Sequence, residues 1–263
     1  MNRVFKRGRS APGRLSFIAF AAAFGLAFPG AAQAPSRPAL WVVQDADTTI
    51  YLFGTFHTLD ANRDWLTPQV AQALGSAREL VLETVVPKSP GEVAASKEAR
   101  NSDYLKGAAK VMHDGHAKGM STATGADQVL RMLAEDDGKP VSGLEEFGAQ
   151  LQTLARIKAT PVPASAVAAP LAKADVSLDR LLAAWRTGDT GAFAAMLSGF
   201  KSKAPDAYDI LIAERNRHWA NWIHQRLETP GVTFVAVGSG HLSGEDSVQA
   251  RLSEQGIRAR RIG

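Results

Sequence analysis

The sequence predicts an α/β domain: a central mixed sheet with flanking helices and a helical middle insertion. Three observations carry this. Short apolar runs rich in Val, Ile, Leu and Phe lie near both ends of the chain, at Leu40–Gln44, Thr48–Gly54 and Thr233–Val237. Longer stretches with helical spacing fill the middle. No internal repeat is visible, so one layered domain accounts for the pattern better than a solenoid.

Taken in order, Leu40–Gln44 and Thr48–Gly54 read as two strands joined by the turn Asp45-Ala46-Asp47, a hairpin that opens the domain. Thr67 caps a helix whose first residue is Pro68 and which runs to about Ala77. Glu79–Val86 is a buried strand. Several short helices, broken at Gly107, Gly115, Gly119 and Gly125, precede a helix from Asp127 to Glu135. Lys139–Leu144 is a short strand and Glu146–Ile157 a helix. Thr160–Pro170, rich in alanine and proline, is a loop or inserted linker. Helices follow at Leu178–Arg186, Thr190–Leu197 and Asp206–Leu227. The strand Thr233–Val237 is apolar on both faces; a helix near Ser247–Gln255 and a final strand at Ile257–Ile262 close the chain.

The chain has 263 residues, 45% hydrophobic and 21% charged, enough for one large core or two small ones. This balance excludes a disordered, collagen-like or multi-span membrane protein. The absence of cysteine excludes disulfides, thiolate metal sites and a cysteine nucleophile. The net charge of +4 at pH 7 is no nucleic-acid signature. Of 30 Lys and Arg, five (Arg3, Lys6, Arg7, Arg9, Arg14) fall in residues 1–34 with no acidic neighbour, and the other 25 are balanced by 26 Asp and Glu. That basic stretch, the apolar run Leu15–Phe28 and the ending Ala32-Gln33-Ala34 have the layout of a secretory signal peptide cut after Ala34. The expectation is a single domain at 35–263, periplasmic or secreted, with no stable membrane span after cleavage.

The chemistry gathers at strand ends. Gly54-Thr55-Phe56-His57 and Gly238-Ser239-Gly240-His241 both follow a strand with glycine, two residues and histidine. Glu83 ends a third strand and Glu145 a fourth. If the four strands are parallel, two imidazoles and two carboxylates converge on one rim, where ligands bind in open α/β sheets. That mixture suits a divalent metal with an open coordination position, which lowers the pKa of bound water. The plainer alternatives are Glu83 reaching solvent at a sheet edge and Glu145 complementing a helix dipole.

Tyr208, Leu211, Ile212, Trp219, Trp222 and Ile223 form an apolar stripe on the long helix, and Arg215 falls in its middle. A buried guanidinium requires a partner, either a carboxylate such as Glu145 or Glu83 or a bound anion. Asn216 lies at the edge of the stripe. His113 and His116, with Asp114 between them, read as a solvated loop, and His218 and His224 as surface or packing residues. There is no GxSxG elbow, no GxxxxGK[ST] loop and no GxGxxG.

The segments LWVV, YLFGTFHTL, LVLET, KPVSGLEEFGAQL, AAWRTGD, ERNRHWANWI and FVAVGSGHLSGEDSV, in this order between Leu40 and Ile262, resemble the TraB/GumN family and the related Tiki metalloproteases. The resemblance implies a metal-dependent hydrolase fold with His57, Glu83 and His241 as metal-site residues. It implies further roles for Glu145, Arg215 and Asn216, and chemistry on a peptide or protein substrate. The expected cofactor is a divalent ion: manganese, cobalt or zinc. Arg215 is expected to steady an oxyanion or a substrate carboxylate, with Glu145 orienting it or carrying a proton. Some relatives are named for exopolysaccharide gene clusters, so the alternative is a non-catalytic envelope accessory protein working with polysaccharide-export machinery. The stretch between Glu83 and Gly143 is shorter than in many relatives, and Thr160–Pro170 departs from their helical text; both bear on specificity.

Overall fold

One aspartate starts the sheet. Asp45 Oδ1 accepts from the main-chain nitrogens of Asp47 (3.1 Å) and Thr48 (2.8 Å), reversing the chain between β1 (Leu40–Gln44) and β2 (Thr48–Thr55). The computed structural model describes residues 37–87, 116, 119–155, 157 and 178–263. The remaining strands are β3 (Glu79–Thr84), β4 (Val141–Glu145), β5 (Gly231–Gly238) and β6 (Arg260–Arg261). They form a six-stranded sheet in the order β4-β3-β5-β2-β1-β6. β1 runs antiparallel to β2 and β6, whereas β5 pairs in parallel with β2 and β3, and β3 in parallel with β4. Four adjacent parallel strands therefore end on one rim.

Period-two alternation divides the strand side chains between two cores. Phe53, Leu80, Leu82 and Phe234 face α1 (Pro68–Ser76), α2 (Ala126–Asp136) and α4 (Leu178–Thr187). Ile50, Leu52, Val81, Val235 and Val237 face α7 (Glu214–Leu227) and α8 (Val248–Glu254). Each fully buried Leu, Ile or Phe contributes about 1.5–3 kcal/mol relative to exposure. The result is a mixed sheet covered by helices on both faces, as expected from strands near both ends of the chain and a helical middle. Thr67 and Ser247 cap α1 and α8 by accepting from Val70 N and Ala250 N, both at 3.3 Å.

The other helices are α3 (Phe147–Ala155), α5 (Thr190–Lys203) and α6 (Pro205–Tyr208). A π-helical turn, Asp209–Ala213, joins α6 to α7, so the expected long helix is present with one widened turn inside it. Two expectations need correction. α5 continues past Leu197 to Lys203, because a helix-interior glycine such as Gly199 costs only about 1 kcal/mol and Phe200 packs against the cluster around Tyr208. The final strand shrinks from Ile257–Ile262 to Arg260–Arg261 because Ile257 closes α8 instead. Gly256 turns the chain at φ 78°, Gly256 N donates to Ser253 O, and Ile257 N donates to Leu252 O, the two bonds of a Schellman cap. The expected breaks at Gly107 and Gly115, the Thr160–Pro170 loop and the leader at 1–34 lie outside the described residues. Among the described residues no helix is long and apolar enough to cross a membrane.

Candidate active site at the sheet rim

The parallel strand ends bring the sequence-predicted residues together. β2 ends at Thr55 and delivers His57 two residues on; β3 carries Glu83; β4 ends at Glu145. β5 ends at Gly238, and the 3-10 turn Ser239–Leu242 that follows carries His241. Gly238 is the meeting point. A Cβ built there would lie 3.2 Å from His57 Nε2, 3.5 Å from Glu83 Oε2 and 3.7 Å from His241 Cδ2. Glycine thus leaves open a space that a methyl group would fill.

Arg215 organises the carboxylate side of this space. It is buried, 7% exposed, and reaches in from α7 just beyond the π-helical turn. Nε donates to Glu145 Oε1 (2.7 Å), and Nη2 to Glu83 Oε1 (2.5 Å) and Glu145 Oε2 (3.2 Å). Nη1 donates to Leu211 O (3.2 Å) and lies 3.3 Å from His241 Nε2. These contacts use all five N–H groups of a guanidinium. Trp219 supports the cluster: its Nε1 donates to Glu145 Oε1 (3.0 Å), its ring lies 4.7 Å from the guanidinium carbon, and its centroid is 4.4 Å from that of His241.

Glu83 divides its oxygens. Oε1 accepts from Arg215 and from Gln150 Nε2 (3.0 Å), while Oε2 accepts a long bond from Gly238 N (3.3 Å) and stands 3.9 Å from His241 Nε2. Burial alone favours the neutral acid, but Arg215, then His241 and His57, outweigh it and hold the carboxyl well below its usual range.

The two histidines are anchored differently. His241 Nδ1 lies 2.6 Å from Asn216 Oδ1, so Nδ1 carries the proton and Nε2 presents its lone pair. Burial, opposed by Glu83 and assisted by Arg215, pushes its pKa down to about 3. His57 Nδ1 lies 3.2 Å from Asp127 Oδ1. Burial opposes the imidazolium, but Asp127 and Glu83 outweigh it and raise the pKa to about 9. Because 55% of this side chain remains exposed, solvent screens those charges. Gly125 makes the Asp127 contact possible, since a Cβ there would fall 2.2 Å from His57 O. Trp185 Nε1 donates to Gly54 O (2.7 Å), and Arg186 holds Asp60 and Asp64, fixing the chain on either side of His57.

Two imidazoles and a carboxylate are donor types that a divalent ion takes. Each imidazole is oriented through Nδ1 by an oxygen, as metal-ligating histidines commonly are; an ion would have to displace the Arg215 Nη1 contact from His241 Nε2 (3.3 Å) and the proton that the raised pKa keeps on His57. Glu83 Oε2 faces the same space while Arg215 keeps Oε1. As the side chains stand, no three His, Asp or Glu residues among the described residues are grouped closely enough to hold an ion.

Asp127, Gln150 and Trp219 contact site residues without having been singled out from sequence for that role. Only Trp219 had a signal, its place beside Arg215 on the stripe. His116, His218 and His224 are exposed and lie outside the cluster; His113 and Asp114 are outside the described residues. No curated protein matches the chain. A family model described as TraB/PrgY/gumN matches residues 39–112 and 102–261, which include every site residue named above. The chain belongs to the TraB/PrgY/gumN family.

Proposed function

We propose that this chain is a metal-dependent hydrolase that cuts peptide bonds in the periplasm or outside the cell, after removal of residues 1–34. The observation that carries the reading is the space over Gly238, faced at once by His57 Nε2, Glu83 Oε2 and the His241 ring. His57, Glu83 and His241 would hold a divalent ion, whether manganese, cobalt or zinc. Such an ion supplies Lewis-acid polarisation of a carbonyl and a water nucleophile available near neutral pH.

The chain's own residues hold and orient. Glu83 stays ionised under the influence of Arg215, which suits a ligand better than a general base. Arg215 has no N–H left for an oxyanion, so its part is to pin Glu83 and Glu145 in place. Glu145 fixes Arg215 through both oxygens, and Asn216 fixes the His241 ring.

The test is hydrolysis of a peptide library with manganese, cobalt and zinc supplied in turn. Wild-type cleavage that disappears in His57→Ala and His241→Ala, with the fold retained, supports the reading. Wild-type-like cleavage by both variants rules out the mechanism. A second reading, a non-catalytic envelope accessory protein serving polysaccharide export, is favoured by one observation: Arg215 Nη1 sits 3.3 Å from His241 Nε2, where an ion would have to bind. No cleavage by the wild type, and no metal retained when it is purified without chelator, would favour that reading.

A further inference from the structure

Five residues beyond His241, Asp246 sits buried at the start of α8, 7% exposed, and is tied to three helices. Its Oδ2 accepts from Tyr208 Oη (2.8 Å) and Lys201 Nζ (2.9 Å), and its Oδ1 pairs with Arg251 Nη2. These donors come from α6, α5 and α8. The carboxyl is held below its usual range: burial opposes ionisation, but the bonds from Lys201 and Tyr208 outweigh it. A side chain so fully bonded fixes its own backbone.

That backbone faces the site. Asp246 O accepts from Asn216 Nδ2 at 2.7 Å, and His241 O accepts from the same nitrogen at 3.3 Å. Asn216 is fully buried, 0% exposed. Its amide has two faces, donating and accepting, and two carbonyl oxygens on one side settle which face points there. Turning the amide over would set Oδ1 against both carbonyls. Oδ1 therefore faces His241 and takes the proton on Nδ1 at 2.6 Å.

We infer that Asp246 is a positioning residue for His241: by fixing its own main-chain carbonyl it sets the orientation of the Asn216 amide, and through it the ring nitrogen that carries the His241 proton. The consequence for the site is an unprotonated Nε2, which stands 3.3 Å from Arg215 Nη1 and 3.9 Å from Glu83 Oε2. The inference deepens the hydrolase reading and rests on it for its purpose, but the proton position can be read without metal or substrate.

The experiment uses the full chain labelled with nitrogen-15 in histidine and compares wild type with Asp246→Ala, Asp246→Asn and Lys201→Met. The ring nitrogen shifts of His241 are recorded alongside thermal unfolding. The wild type is expected to show a protonated Nδ1 and a bare Nε2. Asp246→Ala is expected to show a mixture of both tautomers, Asp246→Asn a smaller population of the second, and Lys201→Met the wild-type signature even if its unfolding midpoint falls. Cobalt(II) titration should show affinity about 10–100-fold lower in Asp246→Ala. If Asp246→Ala does not fold, Asp246→Asn decides. A wild-type chain with its proton on Nε2, or a folded Asp246 variant with the unchanged wild-type signature, overturns the inference. Failure of the wild type to bind cobalt would count against the hydrolase reading while the tautomer result still decides this one.

Discussion

His57 and His241 occupy the same local motif, glycine, two residues, then histidine, at the ends of neighbouring parallel strands. Their surroundings are opposite. The His57 side chain is 55% exposed, rests on a carboxylate and has its pKa raised to about 9. His241 is buried, bonded to an amide, flanked by a guanidinium, and its pKa is pushed down to about 3. A four-residue motif places an imidazole on the rim; partners 25 to 70 residues away in the chain decide its charge. The pair therefore offers one nitrogen open to solvent and one kept neutral inside.

The largest break in this contrast is expected from Arg215→Met. It leaves Glu83 and Glu145 without their cation, and breaking a buried pair in this way typically costs about 3–5 kcal/mol. Urea unfolding should show that loss, and the His241 pKa should rise because its cationic neighbour is gone. Arg215→Lys should lose less, since an ammonium keeps the charge but not the fork.

Asn216→Ala should cost about 1–3 kcal/mol, the penalty for leaving Asp246 O and His241 Nδ1 buried without their partner. The same unfolding assay checks it, and His57 should titrate as in the wild type.

The pH dependence of stability sharpens the contrast, because the two rings contribute with opposite signs. His241 is neutral in the fold but titrates near 6.5 when unfolded, so its contribution is full above pH 6.5 and is lost as pH falls toward about 3. His57 contributes fully below pH 6.5, and that contribution is lost as pH rises through about 9. His241→Gln should flatten the acid limb of the stability profile, measured by unfolding at a series of pH values.

The smallest effect belongs to Asp127→Asn. It should bring the His57 pKa down toward 6.5 in a proton NMR titration and flatten the alkaline limb. Because this pair is exposed, the change in stability should stay under about 1 kcal/mol.

Strand identities and the placement of His57 and His241 were legible because glycine after an apolar run is a local signal, and that of Glu83 and Glu145 because each ends a short apolar run. The buried need of Arg215 for a carboxylate was legible from helical spacing. The insertion of β5 between β3 and β2 was not, although it is what puts Gly238 among the three side chains. Nor was Asp127, which reads as an ordinary first-turn helix acid; it meets His57 only because Gly125 lets α2 approach the chain after β2. The π-helical turn was hidden because one extra residue in a turn leaves the apolar stripe recognisable over so short a span. The short β6 was missed because Ile257 is as suited to a strand as to a Schellman cap.

Cobalt(II) titration of the full chain, followed by visible absorption, decides whether His57, Glu83 and His241 share one ion. A single tight site per chain is expected, weakened at least tenfold in Glu83→Gln and in either histidine-to-alanine variant. Binding that is unchanged in Glu83→Gln, His57→Ala and His241→Ala would contradict it.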